Sequence, residues 1–171
     1  MRRFVLLAVA GCTLSASASA AAPFTPNTLA GTWNGTWKNE RVLSTGPAKI
    51  VAKSLAGNKQ LLFTADFGGN VFGCADPPPE STKPLTKGTG ANHWSDQGFV
   101  IKGASKDFGA ITITYKAATG ALTGSGSNPT CATGLSWTVS GKFTGKTFSG
   151  KVNITLPDKS TAISDLSLTR S

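Results

Sequence analysis

The sequence predicts an all-β protein, an antiparallel up-and-down β-barrel of about 8–10 strands. Three observations carry this expectation. Apolar residues never take helical spacing, whereas alternation of period two recurs along the chain. Gly, Thr, Ser and Asn divide the chain into short segments separated by hairpin-length links. Each segment has one apolar face, and with no helices to cover those faces they can be buried only in a sandwich or a barrel. Hairpin following hairpin favours the barrel, whose closure also removes the edges that invite aggregation.

The strands are read in order. "LAGTWNGTWK" places Trp33 and Trp37 on one face with Gly31 and Gly35, and Thr32, Asn34, Thr36 and Lys38 on the other. A second strand covers 46–55, and "KQLLFTADF" sets Leu61, Phe63, Ala65 and Phe67 together. Further strands are expected at 71–75 and 98–104, at "GAITITY" with Ile111, Ile113 and Tyr115 aligned, and at 121–126. "LSWTVSGKF" aligns Leu135, Trp137, Val139, Gly141 and Phe143, "TFSGKVNIT" aligns Phe148, Gly150, Val152 and Ile154, and 161–170 is the last strand. Glycine-containing turns link them at Ala56-Gly57-Asn58, Ala118-Thr119-Gly120 and Thr144-Gly145-Lys146.

One segment breaks this rhythm. Asp76 to Gln97 carries Pro77, Pro78 and Pro79 in succession, and each lacks the donor that a central strand needs. It is expected to be a long loop at the barrel mouth, with His93, the only histidine, and Trp94 on the rim.

The start of the chain reads as an export signal. Arg2 and Arg3 precede the apolar run Phe4–Ala10, and Ala18-Ser19-Ala20 has the small-x-small form of a cleavage site. The run is too short for a transmembrane helix, which needs about 20 residues. The expected organisation is a signal over 1–20, a flexible N-terminal arm over 21–28 and one barrel domain over 29–171, periplasmic or secreted. Alternatively, Val9-Ala10-Gly11-Cys12 resembles a lipoprotein lipobox, which would anchor the chain at Cys12. After cleavage, Cys74 and Cys131 remain, and in an oxidising compartment two such cysteines pair. A metal site or reactive thiol is the alternative, but no CxxC spacing or neighbouring His supports one.

The formal charge is +9. The lysines are spread singly rather than clustered, which fits solvated strand faces and disfavours nucleic acid as a partner.

Gly31-Thr32-Trp33 at the start of the first strand resembles the Gly-x-Trp signature of calycin barrels, a group including lipocalins, fatty-acid-binding proteins and avidins. The resemblance implies that Trp33 plugs one barrel end beneath a basic residue from the last strand. Leu166, Leu168 and Arg170 share one parity there, so Arg170 falls on the apolar face, where stacking on Trp33 would satisfy its charge. "GLSWTV" with "TFSG", and "GALTG", are similar to avidin strands, but "GALTG" lies much closer to "LSWTV" than in avidins. Asn34-Gly35-Thr36 also lacks the spacing of the avidin biotin ligands. Gly31-Thr32-Trp33-Asn34-Gly35 resembles nitrobindin-type haem barrels, which use a histidine near the chain end, whereas His93 is mid-chain. No cofactor and no metal are expected.

The inward faces carry aromatic, aliphatic and glycine residues, and the acids sit mostly at turns or on outward parity, so no catalytic constellation forms. His93, Ser95 and Asp96 are the only local polar trio, read as loop residues. The expectation is a non-catalytic exported barrel holding a small apolar ligand, lined by Trp37, Phe63, Ile113, Tyr115, Trp137 and Phe148. The alternative is an envelope protein-protein interaction module, such as an inhibitor of a secreted hydrolase.

Overall fold

The alternating segments form strands in the computed structural model, which describes residues 22–41 and 43–171. The expected signal over 1–20 and the alternative anchor at Cys12 lie outside the described residues. One helical turn, α1 (Pro26–Leu29), precedes β1 (Gly31–Asn39), β2 (Ser44–Leu55) and β3 (Gln60–Phe67). Five short strands follow: β4 (Asn70–Val71), β5 (Cys74–Ala75), β6 (Glu80–Ser81), β7 (Leu85–Lys87) and β8 (His93–Ser95). Six long ones complete the chain: β9 (Gly98–Ser105), β10 (Gly109–Lys116), β11 (Ala121–Ser127), β12 (Ser136–Thr144), β13 (Thr147–Thr155) and β14 (Thr161–Arg170).

Strands β9 to β14 pair as successive antiparallel hairpins, β14 pairs with β1, and β1 continues through β2 to β3. These nine strands leave a gap between β3 and β9. Strands β7 and β8 span it, closing a ring of eleven strands, and β6 adds to β3 beside β7. The chain is therefore a closed all-β barrel with slightly more strands than expected. One pairing departs from the antiparallel plan: β7 and β8 run parallel, with Thr86 opposite His93.

The segment 76–97 is thus wall and not only a rim loop. Its three prolines fall before β6, where no ladder donor is required, while Thr82 N–H donates to Phe63 O and Gly88 N–H to Trp94 O, each at 2.9 Å. The expected strand at 71–75 is instead a tight hairpin, because Phe72 (φ 53°) and Gly73 (φ 87°) turn the chain between β4 and β5.

The expected flexible arm is also corrected. Within 22–28, Phe24 is 1% exposed and packs against the rings of Trp94, Phe99 and Tyr115 at centroid distances of 6.3, 5.8 and 5.4 Å. Its N–H donates to Asp96 O at 2.9 Å. Burying a phenylalanine contributes about 1.5–3 kcal/mol, enough to hold a short terminal segment in place. Phe24, Pro26 and Leu29 consequently plug the barrel end at which β1 begins and β14 finishes. At the opposite end lie the connections 40–43, 68–79, 106–108, 128–135 and 156–160. A second apolar cluster, centred on Leu135, Trp137 and Val139, packs toward that end. We call these the plugged end and the loop end.

Candidate functional site

The barrel interior and its loop end are the candidate site, and the strand register determines what points there. Trp33 is at the plugged end, 2% exposed, with Phe143 edge-on at 4.9 Å and its Nε1–H donated to Leu29 O at 2.9 Å. The Arg170 guanidinium lies 5.2 Å from the Trp33 ring, and its Nη1 donates to Thr28 O at 2.9 Å. Arg170 thereby meets its charge with a ring face and a carbonyl while covering the plug.

Trp37 lies further along β1, toward the loop end. Its Nε1–H donates to Gly68 O at 3.0 Å. Trp137 bonds Phe108 O through Nε1 at 3.0 Å and stacks on Phe72 at 5.8 Å, with the planes 11° apart. The β4–β5 hairpin thus lays Phe72 over Trp137, and the bridge from Cys74 to Cys131, with Cα atoms 5.3 Å apart, ties that hairpin to the 128–135 connection. Tyr115 and Phe148 are packed deeply. Tyr115 contacts Phe24, Phe99 and Phe143, and burial pushes its hydroxyl pKa up; Phe148 lies 4.7 Å from Phe143. Phe63 and Ile113 also face inward, but both are only half-buried.

Inward glycines do not open this interior. A Cβ at Gly124 would collide with Ile113, at Gly126 with the Trp137 ring, and at Gly141 or Gly150 with Phe148. Large side chains therefore lie across glycine on the neighbouring strand, the large-small alternation that fits a small barrel. One inward glycine differs. Gly103, opposite Ile111, is exposed, and no atom lies within 4 Å of where its Cβ would stand. Strand β9 is joined to β8 only as far as Val100, so among the described residues the wall beside Gly103 is open on that edge.

The rim residues need correction. Trp94 is not exposed on a loop: it is 5% exposed in β8, bonds Lys59 O through Nε1 at 3.2 Å, and carries Lys87 Nζ 5.5 Å from its ring. Its large apolar ring fills the core where β8 completes the wall. His93, next in the strand, points outward, with Nδ1 2.9 Å from Ala91 O, and lines an outer cleft of about 340 Å³ with Val100, Thr114 and Lys116. Asp96 pairs instead with Lys87 at 3.5 Å. His93, Ser95 and Asp96 thus form no barrel-facing trio.

Two features escaped the sequence reading. Asn39 is 5% exposed and donates from Nδ2 to Ser164 Oγ at 3.0 Å, a polar pair facing inward near the loop end. Their parity was legible, but a polar pair buried across two strands gives no local signal. The second is Asp107, a turn aspartate that is 5% exposed. Its Oδ1 is 3.9 Å from Cys74 Sγ, its backbone N–H donates to Glu80 Oε1 at 3.1 Å, and among the described residues its Oδ2 meets no hydrogen-bond geometry. Cys74, Asp107 and Cys131 cluster their donor atoms within 4.8 Å, but the two sulfurs are joined to each other and so are not thiolate ligands.

Burial first, and then the Glu80 carboxylate, raise the Asp107 pKa above its ordinary 3.8, with Lys106 opposing. The folded protein therefore binds a proton that the unfolded chain releases between 3.8 and the raised value, and this contribution to stability falls as pH rises through that window. Asp158 acts in the opposite direction, its pKa lowered by Ser160, so the comparison must be between variants. In thermal melts, Asp107→Asn is expected to gain on the wild type as pH rises through the window and to be the more stable above it. A wild type that gains on Asp107→Asn with rising pH would contradict this.

No protein-family model matches the chain, and neither does any curated protein. Among solved structures, it is similar to a crystal structure of a protein of unknown function from the DUF3598 family of Nostoc punctiforme. Identity is 10%, the TM-score is 0.55, and the match covers 89% of this chain and 51% of that one. The likeness is one of fold. The chain spans about half the length of that structure. Among the described residues, no helix is long and apolar enough to cross a membrane.

Proposed function

We propose that the protein is an exported, non-catalytic barrel that holds a small, largely apolar ligand. One observation supports this above the rest: Ile50, Phe63, Phe67, Ile111, Ile113 and Leu122 face inward by register yet remain only partly buried. Apolar surface left wet inside a barrel is stabilised by an apolar occupant, at about 25 cal/mol per Å² covered. Phe63 and Ile113 are the lining residues of this reading. Tyr115 and Phe148 serve as its floor, and Trp37 and Trp137 as its ceiling beneath the hairpin. The open wall beside Gly103 is its access route.

The reading is tested by native mass spectrometry of protein purified from its own host, followed by titration with the apolar dye anilinonaphthalene sulfonate. A recurring small-molecule adduct is expected. Ile113→Trp should weaken dye binding about tenfold by filling the space, at a stability cost of about 1–3 kcal/mol. No adduct, together with dye binding indifferent to Ile113→Trp, would remove the proposal.

A second reading, an envelope protein-protein interaction module such as a hydrolase inhibitor, has its own observation. Leu43 is 84% and Ile163 45% exposed, and Glu40 N–H reaches Ile163 O at 3.4 Å, so both belong to one corner of the loop end beside Arg41. Exposed apolar residues next to a cation suit an acidic protein partner. Leu43→Asp would abolish such an association and leave dye binding intact.

A further inference from the structure

The two sulfurs of the disulfide are in unequal surroundings. Cys74 is 4% exposed, inside the β4–β5 hairpin, whereas Cys131 stands exposed in the 128–135 connection. Behind the buried sulfur sits Asp107, with Oδ1 3.9 Å from Cys74 Sγ. A bridged sulfur has no proton to donate, so while the disulfide is intact only a protonated Asp107 can be the donor across this contact. Among the described residues Asp107 Oδ2 meets no hydrogen-bond geometry. When the bridge opens and Cys74 carries the proton, the sulfur becomes the donor across the same contact.

We propose that Cys74–Cys131 is a thiol–disulfide exchange site for a small thiol, in which Cys131 is the sulfur attacked and Asp107 gives its proton to the departing Cys74 sulfur. The incoming thiolate forms a bond to Cys131 Sγ as the Cys131–Cys74 bond breaks, and the bonding pair leaves on Cys74 Sγ. That sulfur takes the Asp107 proton, so no bare thiolate is left in the buried position, and the new S–H donates back to the Asp107 carboxylate. A second thiolate then attacks the small thiol's own sulfur in the mixed disulfide, and the Cys131 thiolate leaves. Two small thiols are oxidised to one disulfide, and the protein bridge is reduced to two thiols. The reverse sequence rebuilds the bridge. An exposed attacked sulfur combined with a protonated buried leaving group favours exchange on both counts, access and leaving-group stability. Burial and the Glu80 carboxylate keep the Asp107 proton in place to higher pH, and Lys106 is the cation that opposes them. This chemistry is independent of any ligand inside the barrel.

The test uses the oxidised full chain with glutathione over a pH series rising from 4, acid-quenched, with adducts mapped by peptide mass spectrometry. Mixed disulfide is expected on Cys131 and not on Cys74, and in Cys74→Ser the free Cys131 thiol should form the same adduct with glutathione disulfide, releasing one glutathione thiol. Asp107→Asn keeps the bridge and the residue's size. It should slow reduction at least about tenfold at the low end of the series, with the gap closing as pH rises and Asp107 loses the proton it would give. Adducts on Cys74 would overturn the proposal. So would equal rates for wild type and Asp107→Asn, or a slowing identical across the pH series, which is what a merely structural disturbance produces.

Discussion

Trp33→Ala is expected to cost about 3–5 kcal/mol, the usual penalty for removing a large buried aromatic. For a domain of this size each kcal/mol lowers the melting temperature by about 2–4 °C, so a fall of roughly 10 °C or more should be visible in a thermal melt. The reason is position. Trp33 is 2% exposed, touches Phe143, bonds Leu29 O and lies beneath Arg170, so its loss disconnects the N-terminal plug from the barrel. Arg170→Ala should cost less, about 1–2 kcal/mol, because it removes the cation from the ring but leaves the ring buried. Trp37→Phe should cost about 1–2 kcal/mol, since it keeps most of the apolar area and loses the bond to Gly68 O. Equal losses at Trp33 and Trp37 would refute the division of the Gly-Thr-Trp doublet into a plug and an inner wall.

Removing the bridge is the second large effect. The cysteines are 57 residues apart, and the double variant Cys74→Ser, Cys131→Ser should be less stable by about 4 kcal/mol on chain-entropy grounds. The damage should be local as well as global. The bridge fastens the hairpin that lays Phe72 on Trp137, so limited proteolysis should cut first within 68–79. A double variant that melts with the wild type and resists cleavage there would show that Phe72 packing alone holds the hairpin.

The long strands were legible because alternation is a local signal. Trp137, Val139, Gly141 and Phe143 share a face in the structure as they do in the sequence, and the same parity brought Arg170, on the last strand, opposite Trp33 on the first. The short strands were not legible, since two or three residues cannot display a period. Phe24 falls within the expected arm because nothing near it in sequence announces the ring cluster of Trp94, Phe99 and Tyr115 that receives it. Asp107 looked like any turn acid, because its neighbours Cys74 and Glu80 are distant in sequence.

The sequence by itself determined that this chain is an antiparallel barrel, which face of each long strand points inward, and that Cys74 and Cys131 were the pair to consider. Each of these follows from side-chain parity or from residue inventory, which travel with the chain whatever it folds against. Only the tertiary structure decided how the ring closes. Nine long strands leave β3 and β9 apart, and their unpaired backbone groups must find partners or face water. A proline-rich segment supplied them through β6, β7 and β8, drew Trp94 into the core, and left the wall open beside Gly103. Closure is a property of the whole circumference, so no local pattern could state it.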